Sequence, residues 1–224
     1  MKHSIKISVM ALVAMFAVST TADAQFGLLK SIGKDLGIKG KKKVKDPKTG
    51  ETIKIKEDEF VVRNWKTGED EIVKNPFPEA RPWSNLLETE KNFQDKAMKK
   101  KIIERLLDEE KFNNRKRKSD DIMKDRKVVY VLFRNDEWTN QRNDYGSLTN
   151  RYLVCDVISE LTNGMTIDEY TYVNNKYSGG GDWSENFVFV VQQNAATMTT
   201  SAHKEVHLVT DWEHKEDADP LKDL

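Results

Sequence analysis

From Val128 the sequence changes period, and that change constrains the fold more than any other feature. Residues 128–133 are apolar on both faces, the pattern of a central strand. Asn143-Asp144-Tyr145-Gly146 reads as a turn and residues 148–161 as a long strand. Asn163-Gly164 then predicts a type I′ hairpin, whose two central residues need positive φ. Residues 165–173 return as the partner strand. Ser178-Gly179-Gly180-Gly181-Asp182 is the next loop, residues 187–191 a further strand and residues 205–210 the last. Residues 128–210 thus predict an antiparallel β meander, followed by an acidic tail at 211–224.

Upstream the period is helical. Pro76, Pro78 and Pro82 make residues 75–83 an extended connector, because a residue before proline avoids the helical region. Ser84 follows as a helix N-cap. Leu86, Phe93, Ala97, Ile102, Ile103, Leu106 and Leu107 form one apolar stripe. Asn113 and Asn114 end or bend that helix, and a short helix follows at 119–124. Residues 76–127 are therefore a proline connector and helical segment. Before them, residues 51–75 read as a small β unit with strands near 52–56, 59–65 and 70–74. Its turns carry the tetrapeptide Lys-Thr-Gly-Glu twice, at 48–51 and 66–69. The expected fold class is α+β, with a long helix packed on a twisted antiparallel sheet of four to five strands and preceded by the small β unit. That element order is similar to the cystatin-like and nuclear-transport-factor-2-like folds. The Gln-x-Val-x-Gly loop of cystatins is absent, so the similarity implies no protease inhibition.

The N-terminus predicts export. Lys2 and Lys6 precede an apolar run at 7–18, and Ala22-Asp23-Ala24 closes a signal peptide at 1–24. The run is shorter than the ~20 residues that span a bilayer, so no transmembrane segment is expected after cleavage. Position 25 is Gln, not the Cys that lipidation needs. The single cysteine, Cys155, closes no intrachain disulfide and reads as a small buried hydrophobe. Residues 25–50 form a basic, flexible lead-in. Charge is segregated: residues 25–56 carry +7 and residues 128–224 carry −9.

Trp138, Arg142-Asn143, Gly146, Arg151 and Tyr177-Ser178-Gly179-Gly180-Gly181, with the leader ending before Gln-Phe-Gly, resemble uncharacterised exported proteins of Bacteroidota. The resemblance implies a periplasmic or cell-surface location and no particular chemistry.

Two sets of residues invite a functional reading. Tyr177 and Trp183 flank Gly179-Gly180-Gly181, and Trp138 and Tyr145 lie on other loops. Together they offer a stacking face for an envelope glycan or a partner protein. The glycine run lacks the Lys-Ser/Thr of a phosphate loop and reads as a hairpin turn. His203, His207 and His214 lie within twelve residues among carboxylates, a set that suits Zn. The zincin pattern fails, because Lys204 follows His203. On one strand His203 and His207 would sit about 13 Å apart, too far for one ion. Asp168 and Glu169 are adjacent on a predicted strand and point to opposite faces, which does not suit two-carboxylate catalysis. No nucleophile elbow or Walker loop is present. Lys99-Lys100-Lys101 and Arg115-Lys116-Arg117-Lys118 read as solvated or glycan-facing, since export argues against nucleic acid. The leading expectation is an exported, non-catalytic binding or envelope-associated protein with no cofactor. The alternatives are a Zn-dependent hydrolase built on the three histidines and a small-ligand carrier with a cavity between helix and sheet.

Overall fold

The computed structural model describes residues 41–77, 79–191 and 206–222. The expected signal peptide, the lead-in up to residue 40, Pro78 and His203 lie outside the described residues. The described residues divide into two units, one of residues 41–44 with Thr52–Glu57, the other of Lys45–Glu51 with the described residues from Asp58 on. β1 (Lys42–Lys45) and β2 (Thr52–Ile55) form a two-stranded hairpin.

The second unit is built on one long hairpin, β8 (Leu148–Glu160) and β9 (Thr166–Gly179). β6 (Lys127–Phe133) pairs with β8 near the connecting turn, and β7 (Thr139–Arg142) pairs with its far half. β11 (Val206–Val209) and β10 (Asp182–Val191) divide β9 in the same way. β5 (Glu79–Arg81), from the proline connector, adds to β11 in parallel. The end near the turn is called proximal and the other distal. β3 (Glu59–Arg63) and β4 (Asp70–Lys74) form a separate hairpin, whose Val62 packs with Leu161, Met165, Ile167 and Leu208.

This corrects the expected fold class. Among the described residues strand makes up 43% and helix 16%, so they are mainly β, and their large sheet is a seven-stranded mixed one. The expected four to five antiparallel strands omit β5 and β7. β5 is missed because its partner lies about 128 residues away, beyond the reach of any local pattern. The expected continuous helix from Ser84 is two helices, α1 (Trp83–Leu87) and α2 (Lys96–Lys116). A local cap and a tertiary bond break the stripe. Asp95 caps α2 by accepting from Met98 N at 2.9 Å, and Lys91 N donates to Phe133 O at 2.7 Å. α1 follows Pro82, and the Asp211 carboxylate receives the backbone N–H groups of Trp83 and Ser84.

α2 buries Ile102, Ile103 and Leu106 against Val131, Phe133, Leu153, Cys155, Val157 and Val173. Each fully buried aliphatic side chain contributes about 1.5–3 kcal/mol. Cys155 sits inside this core, and burial pushes its thiol well up, with Asp156 and Asp168 adding to the shift. The opposite face packs Leu86, Leu132, Ile158, Val209 and Trp212.

The Asn163-Gly164 hairpin is real but is not type I′. Gly164 alone takes positive φ, at 92°. Leu161 N bonds Met165 O at 2.8 Å across a three-residue loop. The two Lys-Thr-Gly-Glu loops are near copies. In each, an Asx side chain accepts from the Lys amide at 2.9 Å, and the Thr hydroxyl accepts from the Glu amide at 3.3 Å.

Candidate functional site

At the distal end, strand pairing gathers three of the loop aromatics singled out above, together with Arg151 of β8, onto the face that α2 covers further down. Trp183 pairs with Tyr177, and Arg151 pairs with Asn175 on the same side of the sheet. The Arg151 guanidinium lies between two indoles, 4.3 Å from Trp138 and 4.4 Å from Trp183. Tyr177 meets Trp183 edge-on at 5.2 Å. Arg151 Nε donates to Asn175 Oδ1 at 2.9 Å. Asn175 is itself buried and donates to Ser184 O and Asn186 O at 2.6 and 3.1 Å. Partial burial draws the Arg151 pKa down while Asp95 opposes that, and the guanidinium stays charged. The result is a fixed ladder of Trp138, Arg151, Trp183 and Tyr177, rooted in the core through Phe187 and Phe93.

The glycine run closes the β9–β10 hairpin. Gly179, Gly180 and Gly181 all take positive φ, and Gly181 N donates to Tyr177 Oη at 2.8 Å. That amide serves the ladder. Tyr145 stands apart on the β7–β8 turn, 93% exposed.

The opposite face carries a row of charge that the sequence reading did not find. Pleating puts Asp156 of β8, Asp168 of β9, His207 of β11 and Glu79 of β5 on one side. Asp156 and Asp168 are fully buried. Arg134 Nε meets Asp156 Oδ2 at 2.5 Å, and Arg81 Nη1 lies 3.5 Å from Asp168 Oδ2. Burial, then repulsion from Asp168, raises the Asp156 pKa to about 7 against the pull of Arg134 and Arg81. Asp156 Oδ1, Asp168 Oδ1 and His207 Nδ1 lack hydrogen-bond partners among the described residues. Beyond this row the same face continues as Tyr170, Tyr172 and Tyr152.

Glu169 points the other way, as expected for a strand neighbour of Asp168. It pairs with Arg126, which also meets Glu110 at 2.8 Å, while Arg117 forks onto Glu110. Burial pushes the Glu110 carboxyl up, but Arg117 and Arg126 outweigh it and hold it below its ordinary value. These groups line a cleft of about 240 Å³ between α2 and the sheet, with Leu106, Val157 and Phe189 as its apolar wall.

The histidines do not converge among the described residues. His207 lies 3.7 Å from Asp168 and 3.8 Å from Glu79. His214 bonds Glu160 at 2.7 Å and packs on Trp65 at 5.2 Å. No group of three or more His, Cys, Asp or Glu among the described residues is arranged to hold a metal ion. Among them, too, no helix is long and apolar enough to cross a membrane.

No family model matches the chain, and neither curated proteins nor solved structures offer a match.

Two site features escaped the sequence. Arg151 stood in the run that supported the Bacteroidota resemblance, but nothing local placed it between two tryptophans. The Asp156–Asp168 pair needs the β8–β9 register. A predicted hairpin about Asn163-Gly164 carries that register only once the loop length is known.

Proposed function

We propose that this is an exported, envelope-associated binding protein that recognises a glycan with the aromatic ladder at the distal end of its sheet. The observation that carries this reading is the Arg151 guanidinium held between Trp138 and Trp183, with Tyr177 beside them. A saccharide presents hydroxyl acceptors to fixed N–H donors, and a ladder fixed in advance loses little conformational entropy on binding. Arg151 already fills the space between the indoles, which argues against a quaternary ammonium guest. Ligand must instead lie along the half-exposed outer edge of the row, where indole N–H groups and the guanidinium supply donors. Export is supported by the leader at 1–24, and the resemblance to Bacteroidota proteins supports a periplasmic or surface address.

Binding of the purified protein to an array of neutral and anionic envelope oligosaccharides tests the proposal. A saccharide should be retained by the wild type and lost, by more than about tenfold in affinity, in Trp183→Ala. Retention that survives both Trp183→Ala and Trp138→Ala would place recognition elsewhere. Capture of a protein alone would replace the glycan with a partner protein.

A further inference from the structure

The edge strand β10 changes character along its length. Its first half is irregular: register shifts fall between Asp182 and Trp183 and again between Trp183 and Phe187, and Asp182 and Glu185 add negative charge. Both devices blunt a sheet edge. From Phe187 to Val191 the pairing with β9 is one-to-one, and this run carries no charge and no proline. Val188 is 61% exposed and Val190 41% exposed, both on the face away from α2. Phe187 and Phe189 alternate onto the α2 side, where they pack on the core. Among the described residues β9 is the sole pairing partner of β10, so its outer row of N–H and C=O groups is open to another strand.

We propose that the occupant of this edge is β10 of a second copy, added antiparallel about a two-fold axis at Val188. The sequence is self-complementary in that register. Val188 faces Val188 of the other copy, Phe187 faces Phe189 on the helix side, and Asn186 faces Val190. Glu185 falls opposite Val191, so no two like charges meet across the axis. A shift of the axis toward Glu185 brings the acids of the two copies together, which fixes the register. The dimer joins two seven-stranded sheets into one and covers the exposed valines. The ladder residue Trp183 lies outside the regular run, so the edge and the ladder can fail independently.

Sedimentation velocity of the full chain over a concentration series tests this. The wild type should be dimeric at the higher concentrations. Val188→Lys should raise the dissociation constant by about tenfold or more. The site is exposed, and an unchanged circular-dichroism spectrum shows that this variant still folds. Val188→Cys should form an intermolecular disulfide under mild oxidation, because residues opposite one another in an antiparallel pair lie within disulfide reach. A wild type that stays monomeric throughout overturns the proposal. So does a dimer that Val188→Lys leaves intact and Val188→Cys fails to cross-link.

Discussion

The molecule holds two aromatic clusters, one at each end of the β8–β9 hairpin, and they solve the polar part of an indole differently. At the proximal end Trp212 is 4% exposed and donates Nε1 to Glu160 at 2.9 Å. Trp65 donates Nε1 to Leu161 O at 3.0 Å, and Trp83 meets Trp212 edge-on at 4.8 Å. At the distal end Trp138 and Trp183 are half-exposed, and among the described residues neither indole N–H has an acceptor. A buried indole needs its partner inside the protein, whereas a surface indole keeps its donor for a ligand. Trp65 and Trp212 therefore hold the fold with paired indoles and Trp83 does so by edge-on ring packing on Trp212 and Tyr130, while Trp138 and Trp183 face outward at the distal end.

The largest expected effect is at the proximal end. Trp212→Ala empties a packed site and leaves Glu160 with His214 alone, so chemical denaturation should show a loss of about 3–5 kcal/mol. A loss no larger than that of a surface residue would break the distinction between the clusters. Glycine substitutions give a second contrast. A Cβ at Gly164 would run into the Asn64 side chain, which is itself held by Lys66 N and Glu71. Gly164→Ala should therefore cost about 2 kcal/mol or more, the left-handed backbone contributing part. Gly180 also has positive φ, but open space surrounds it, so Gly180→Ala should cost only about 1 kcal/mol.

Between the clusters, Asp156 supplies a pH test. Its folded pKa of about 7 lies above the ordinary value of 3.8. Across that window the unfolded carboxyl is ionised while the folded one keeps its proton. The stability it contributes is complete below the lower value and falls as pH rises, by up to about 1.4 kcal/mol per pH unit. Asp156→Asn removes that slope. Thermal melts from pH 4 to pH 7 should show the variant gaining on the wild type as pH rises; a constant difference would contradict the raised pKa. The smallest effect is expected at the distal end, where Trp183→Ala should change stability by about 1 kcal/mol while abolishing binding.

The sequence alone carried some of this. Trp138, Tyr177 and Trp183 were identifiable as loop aromatics because turn residues surround them, and three of the four predicted loop aromatics do assemble. Tyr145 does not, since its turn projects away from the others. The opposite faces of Asp168 and Glu169 follow from a strand's period of two. Their partners did not follow, because Asp156, Arg126 and His207 arrive from other elements through register and crossover. The break between α1 and α2 was equally hidden: no glycine or proline marks residues 88–95, and the bonds that end the helical stripe reach across to Phe133 and Asp136.

The five indole N–H resonances report the division between the clusters directly. In a titration of isotope-labelled protein with neutral and anionic oligosaccharides, the Trp138 and Trp183 signals should shift with saturable dependence. Those of Trp65 and Trp212 should stay in place. Shifts confined to Trp65 and Trp212, or five resonances unmoved by every saccharide offered, would contradict the assignment of the distal ladder as the recognition site.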